Sequence, residues 1–150
     1  MDTINKFATY MNQRMTTLEA RNKQANGIIK MTKAALKQAN AEANKDTAHI
    51  ETYEKIVLYY ETYIKIHNCE KLMIKTILSE NAEIIIKIVP KLREKYIMYS
   101  TDVCEIDKDL VRIGNINGFD DIHHIKTCKA LKDDVEHFNE LYNLVSNYLE

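Results

Sequence analysis

The fold is decided by residues 78–113, which read LSENAEIIIKIVPKLREKYIMYSTDVCEIDKDLVRI. Alternating steps of four and three residues connect a continuous set of apolar positions, here called the central stripe: Leu78, Ala82, Ile85, Val89, Leu92, Tyr96, Tyr99, Val103, Ile106, Leu110 and Ile113. This spacing places one narrow apolar face along an α-helix, whereas a strand requires alternation with a period of two. The stretch therefore predicts a helix that packs against other helices.

The composition of the whole chain agrees with helices throughout. The chain has 150 residues, enough to bury a core, and contains three glycines and one proline. β-rich and α/β folds use more turn-forming residues than this. We expect an all-α protein, an elongated antiparallel bundle of three to five helices with coiled-coil-like heptad seams.

A second heptad series begins near the N-terminus and continues to residue 64. Its positions are apolar except for Asn22, Thr32 and Asp46. Such a seam can pair with a second copy of the chain, and a polar Asn22 within it would fix register and oligomeric state. Replacing Asn22 with Leu is then expected to raise stability and loosen the oligomeric state. The predicted oligomer seam consists of Ile4, Met11, Met15, Leu18, Asn22, Ile29 and Leu36.

Two interpretations of residues 4–64 remain open. The preserved heptad phase favours one helix of roughly 90 Å. The polar segment 44–47 favours a hairpin with a fresh helix start, and we prefer this alternative. We therefore divide the chain into an Ala-rich amphipathic coiled-coil helix, 1–46, and a helical bundle, 47–150. The bundle helices are expected at about 47–78, 79–113 with a kink at Pro90, and 120–149.

The C-terminal half supplies most of the predicted core. Asp102 and Glu105 resemble a capping box, which would start a new short helix inside the 79–113 region. Residues 114–118 form the clearest loop, and the final helix repeats the 3-4 spacing with acids, including Asp134, on its outer face. The predicted bundle core consists of Leu78, Ile85, Val89, Leu92, Tyr96, Val103, Ile106, Leu110, Leu131, Val135, Phe138 and Val145.

A cluster of tyrosines marks a candidate partner-binding surface. Tyr53, Tyr59, Tyr60 and Tyr63 lie at helical spacing within eleven consecutive positions, 53–63. Tyrosine is enriched among residues that dominate binding energy. The alternative is that these side chains pack half-buried in the bundle, with their hydroxyls in water.

Charge is unevenly distributed along a chain whose net charge is −1. Residues 1–50 carry eight Lys/Arg and four acids, whereas residues 101–150 carry five and eleven. The basic segment raises the hypothesis of nucleic-acid binding, although packing of basic against acidic helices explains it better. The residues that would contact phosphates are Arg14, Arg21, Lys23, Lys30, Lys33 and Lys37.

No motif predicts a cofactor, a metal or an enzyme. His124 and Cys128 share a helix face and could supply half of a tetrahedral site, with His67 and Cys69 as the other half. Packing roles for these residues are the better interpretation. Three cysteines without short spacing, no signal peptide and no long apolar run favour a soluble intracellular protein without a membrane span.

The leading hypothesis is a non-enzymatic structural or scaffolding protein that self-associates through its heptad seams. Abundant Ile, Lys, Asn and Tyr are typical of AT-rich genomes, including those of large DNA viruses, so a viral component in the cytoplasm or virion fits. The first alternative is a monomeric helical module that sequesters a partner protein. The second alternative is nucleic-acid association. The expected partner is the chain itself or another protein, and no small-molecule substrate is expected.

Overall fold

Over the described residues the chain folds into four α-helices that pack antiparallel, as a computed structural model shows. The structure describes residues 2–113 and 121–149, with side-chain surroundings for 7–113, 124–143 and 145. The helices are α1 (Asp2–Ala41), α2 (Thr47–Leu78), α3 (Ala82–Ile113) and α4 (Asp121–Leu149). No strand occurs within these ranges. The prediction of an all-α bundle is confirmed.

The chain reverses between α1 and α2, so the hairpin alternative is the observed one. Asp46 is the N-cap of α2, and its Oδ1 accepts hydrogen bonds from the amides of Ala48 and His49 at 3.1 and 3.2 Å. These bonds satisfy amides that have no partner within the first helical turn. The local chemistry of the turn therefore prevails over the preserved heptad phase.

The connection between α2 and α3 is a tight reversal of three residues. Glu80 adopts a left-handed φ of 56°, and Asn81 Oδ1 accepts a hydrogen bond from the amide of Ile84 at 3.3 Å. Ser79 Oγ donates to the carbonyl of Thr76 at 2.6 Å and so occupies an otherwise unpaired acceptor at the end of α2. This short reversal holds α2 and α3 side by side.

Helix α3 runs unbroken through both places where the sequence suggested an interruption. Pro90 lies inside the helix, and the expected kink there stays a prediction. The prediction of a new helix at Asp102 is wrong, because α3 is already helical from Ala82 onward. Ser100 and Thr101 donate to the carbonyls four residues earlier, at 2.8 and 3.0 Å, as hydroxyls do within helices. The predicted loop 114–118 lies outside the described residues.

The central stripe is buried in the core from Ile85 to Leu110 except for the partly buried Tyr99, whereas Ala82 is exposed. The side chains of Tyr96 on α3 and Phe138 on α4 stack with ring centroids 4.2 Å apart. Met11 and Leu18 from α1 join the same cluster, so α1 shares the core with the other three helices. The buried members of the predicted core are Ile85, Val89, Leu92, Tyr96, Val103, Ile106, Leu110, Leu131, Phe138 and Val145, whereas Leu78 and Val135 are partly buried.

A network of ion pairs ties three helices together near the N-terminus of α1. Arg14 contacts Glu70 on α2 and Asp134 on α4, at 2.5 and 3.3 Å. The prediction that Asp134 lies on the outer face of α4 is wrong, because the helix is rotated so that this carboxylate faces α1. Over the residues described, no helix is long and apolar enough to cross a bilayer.

Candidate functional site: a tyrosine-lined cleft between α1 and α4

Helices α1 and α4 meet at one end and separate further along to form a cleft. Arg14–Asp134 and a 2.9 Å hydrogen bond between Tyr10 and His137 join the two helices at the closed end. Next to these contacts lies the cleft, which has a volume of about 390 Å³ and is bounded by α1, α2 and α4. It is lined by Arg21, Gln24, Ala25, Ile28, Tyr59, Tyr60, Tyr63, His67, Lys126, Thr127 and Ala130.

Three tyrosines of α2 line the cleft. Tyr59 is buried and contacts Tyr60 and Tyr63 at centroid distances of 4.9 and 5.8 Å, and both neighbours are partly exposed. Burial raises the pKa of all three phenols above the ordinary value. The hydroxyls therefore stay protonated at neutral pH. The partly exposed rings of Tyr60 and Tyr63 provide an amphipathic surface that suits protein contacts.

The buried side chain of His67 is neutral and packs against a tyrosine that lines the cleft. The Nδ1 atom of His67 lies 2.7 Å from Asn22 Oδ1, and an amide oxygen only accepts hydrogen bonds, so Nδ1 carries the proton. Burial, together with the positive charges of Arg21 and Arg14, lowers the pKa of His67 to about 4. Its ring packs edge-on against Tyr63 at 4.7 Å. His67 thus fixes the position of Tyr63 and adds no charge at neutral pH.

The electrostatics of the cleft are positive. Arg21 on α1 and Lys126 on α4 line opposite walls, and both are exposed. The described residues that line the cleft include no carboxylate. A segment that carries Asp or Glu beside apolar side chains would therefore find both cations and aromatic surface here.

The structure brings together three of the four predicted partner-binding tyrosines. Tyr53 lies apart from the other three, in a shallow cavity at the α1–α2 turn, where its ring stacks with His49 at 6.3 Å. Sequence reasoning missed Arg21 and Lys126 as part of the same site. Period-based reasoning identifies positions that share one helix face, but it contains no information on which face of α4 approaches α1.

The predicted oligomer seam lies largely inside a single chain. Met11 and Leu18 are fully buried and Ile29 is nearly so, whereas Met15 and Leu36 are partly buried. Asn22 bonds to two α2 residues, His67 and Asn68, the latter at 3.0 Å. The side chain of Ile4 lies outside the described residues. The role of these positions between copies stays a prediction.

The basic residues of α1 have different surroundings. Arg14 is engaged with Glu70, and Lys33 lies 3.9 Å from Glu61. Arg21 lines the cleft, and Lys23, Lys30 and Lys37 are exposed. Of the ion pairs that these residues make in the described part of the chain, only Arg14–Asp134 joins the basic segment to the acidic C-terminal third, so neutralisation between these two segments stays a prediction.

The His124 and Cys128 pair has different neighbours from those considered in the sequence. Cys104 and Asp107 of α3 contact it, whereas His67 and Cys69 lie on α2, with Cys69 in the hydrophobic core. Among the described residues no group of three or more His, Cys, Asp or Glu could hold a metal ion. The sequence did indicate that Cys104 and Asp107 lie together, since they are three residues apart and therefore share one face of α3.

No model of a known protein family, no curated protein and no solved structure matches the chain.

Proposed function

We propose that this chain is a non-enzymatic protein-binding module that captures an acidic amphipathic helical segment of a partner protein in the cleft between α1 and α4. The observation that carries the proposal is the combination of Tyr60, Tyr63, Arg21 and Lys126 around one open space. Tyrosine and arginine are the residue types most often found among binding hot spots. The cleft is formed by α-helices, so little backbone of this chain has to be ordered on binding.

The dimensions and charge of the cleft support a peptide segment as the occupant. Its opening runs along two helices, from Arg21 to Ile28 on α1 and from Lys126 to Ala130 on α4. An amphipathic helix laid into such a groove places apolar side chains on the tyrosines. Carboxylates at its edges then meet Arg21 and Lys126.

The test is a selection from a displayed library of amphipathic helical peptides against the full chain. We expect enriched peptides to carry Asp or Glu beside an apolar face. Tyr60→Ala and the charge reversals Arg21→Glu and Lys126→Glu should each weaken binding roughly tenfold or more, because each removes a direct contact.

Two variants serve as matched controls. Lys129→Glu reverses an exposed charge on α4 outside the cleft, and Tyr53→Ala removes a tyrosine that lies in the other cavity. Both should leave the affinity of the selected peptides unchanged. Binding that survives the charge reversals in the cleft, or falls equally with Lys129→Glu, would contradict the proposal.

Self-association is a second candidate function, favoured by the distal half of α1. Met31 is 75% exposed there, and alanines such as Ala34 and Ala35 allow close approach of a second helix. An exposed apolar side chain surrounded by small residues is a suitable contact for a second copy of the chain. Self-association through this contact would support a structural or scaffolding role.

Sedimentation over a range of protein concentrations distinguishes the two candidates. Self-association predicts a mass above that of one chain and its reduction by Met31→Glu. A monomer at all concentrations would exclude it. The cleft variants Arg21→Glu and Lys126→Glu should not alter the mass if the cleft binds a different protein.

A further inference from the structure

We propose that Cys104 and Cys128 form a thiol–disulfide exchange site, which reacts with a low-molecular-weight disulfide and closes a reversible covalent bond between α3 and α4. The two Sγ atoms lie 3.1 Å apart on neighbouring helices, and both cysteines are free and partly exposed. A disulfide requires about 2.05 Å, so small side-chain rotations bring the sulfurs to bonding distance.

The pair is accessible through a groove on the α3–α4 face. This groove has a volume of about 490 Å³ and is a separate space from the tyrosine-lined cleft. Apolar side chains, among them Ile97 and Leu131, form part of its lining, and Lys132 and Glu136 contribute charge. A small disulfide that carries both amino and carboxylate groups has complementary contacts there.

A histidine and a buried carboxylate complete the site. His124 lies one helical turn before Cys128, and its Nε2 is 3.7 Å from Cys128 Sγ. Its Nδ1 lies 2.6 Å from Oδ2 of Asp107, which is fully buried. Nδ1 and Nε2 lie 3.9 and 3.7 Å from Cys128 Sγ, and because Nδ1 is hydrogen-bonded to Asp107, Nε2 is the ring nitrogen left to accept a proton. His124 is thus placed to accept the thiol proton of Cys128.

The two cysteines have unequal roles. Burial, followed by the hydrogen bond with Cys128, raises the pKa of Cys104. Cys128, next to His124, is the attacking sulfur, and Cys104 is the resolving sulfur. The thiolate is the reactive form in such exchange.

The reaction balances with one small disulfide, RSSR. Cys128 thiolate attacks one sulfur, the S–S bond of RSSR breaks, and the first RS⁻ leaves and takes the proton from His124. Cys104 Sγ then attacks Cys128 Sγ, the mixed disulfide bond breaks, and the departing RS⁻ takes the Cys104 proton and leaves as the second RSH. The two protein thiols are oxidised, RSSR is reduced to two RSH, and a thiol excess reverses both steps.

The test uses the full reduced chain with oxidised glutathione. After acid quenching and alkylation, a tryptic digest should contain the peptide 96–108 joined to 127–129. Oxidation should raise the urea midpoint of unfolding, because the crosslink restricts the unfolded chain, and dithiothreitol should reverse the shift. Cys69 is the internal control, since it is buried in the core and burial raises its pKa.

Single substitutions test the roles assigned to the two cysteines and to His124. Cys104→Ser or Cys104→Ala should stop at a mixed disulfide on Cys128, whereas Cys128→Ser should react roughly tenfold more slowly. His124→Gln should slow the first step while the far-ultraviolet spectrum stays unchanged. Absence of the joined peptide, equal rates for the two cysteine variants, or oxidation of Cys69 at the same rate would overturn the proposal.

Discussion

Arg14 of α1 and Glu70 of α2 form a two-point ion pair, with distances of 2.5 Å from Nε to Oε2 and 3.0 Å from Nη2 to Oε1. Glu70 is 1% exposed, so this guanidinium pairs with a carboxyl group that is almost fully buried. Arg14 also reaches Asp134 of α4 and therefore contacts both helices that flank α1. The planar guanidinium can make all three contacts at once, which a lysine ammonium does not reproduce.

Removal of this arginine is expected to be costly. Arg14→Met leaves a buried carboxylate without a cation and should lower the free energy of unfolding by about 3 kcal/mol. The double variant Arg14→Met/Glu70→Leu should recover much of that loss, because only the partly exposed Asp134 then lacks its arginine partner. Urea unfolding at pH 7 measures both values.

The matched control is the exposed pair of Lys33 and Glu61, 3.9 Å apart. Lys33→Met should change stability by no more than about 0.5 kcal/mol, as is usual for surface pairs. If Arg14→Met is as mild as this control, the Arg14 network contributes little to the fold.

The aromatic stack between α3 and α4 yields the next prediction. Phe138 is almost fully buried and stacks on Tyr96. Phe138→Ala should lower the free energy of unfolding by about 4 kcal/mol, because it removes buried apolar area and leaves a cavity. Ile125→Ala on the same helix should have an effect within about 0.5 kcal/mol, since Ile125 is exposed. Equal losses for the two variants in urea unfolding would contradict this account of the core.

The helices were predictable because helix periodicity is a local property. The stripe through Ile85, Tyr96 and Leu110 follows from side-chain spacing alone, and these positions are buried. The break at Asp102 was mispredicted because a capping box and a helix interior share the same residues. Whether such residues begin a helix or continue one depends on whether the preceding residues are already helical.

The candidate sites were less predictable because they require contacts between helices. Sequence spacing places Tyr59 and Tyr63 on one face, but it does not indicate that Lys126 lies across from them. Likewise, it does not indicate that Cys104 meets Cys128 rather than Cys69. Relative rotation of the helices decides these pairings, and that rotation results from the packing of the whole core.

His67 should make stability depend on pH. Its pKa is lowered to about 4 in the folded state, compared with about 6.5 in the unfolded chain. Between these values the unfolded state binds more protons, so stability falls as pH decreases from 6.5 to 4. The contribution of His67 at pH 5 should be about 2 kcal/mol less favourable than at pH 7.

His67→Gln measures this contribution, because glutamine stays neutral across the range. Urea unfolding at pH 7 and pH 5 should show a smaller loss for the variant than for the unmodified chain. Comparison of the two proteins removes the shared effect of other groups, such as Asp134, whose pKa is raised by burial. Identical pH slopes would exclude His67 as the source.

The last prediction concerns Asn22, for which the structure reverses the expected effect of substitution. In a seam between copies, leucine at this position would stabilise the protein. In the observed bundle, Asn22 Oδ1 accepts a hydrogen bond from Nδ1–H of His67, and Asn22 Nδ2 donates a hydrogen bond to Asn68 Oδ1. Within the described part of the chain, His67 Nε2 has no hydrogen-bond partner. Asn22→Leu would leave both ring nitrogens unpaired and should lower the free energy of unfolding by about 2 kcal/mol.

Asn12→Leu is the matched control, since Asn12 is an exposed residue of the same helix. It should change stability by less than about 0.5 kcal/mol. Urea unfolding combined with sedimentation separates the two roles of Asn22. A loss of stability without a change in mass identifies the contact with His67 within one chain as its role. A gain of stability with altered mass would instead identify Asn22 as part of a seam between copies.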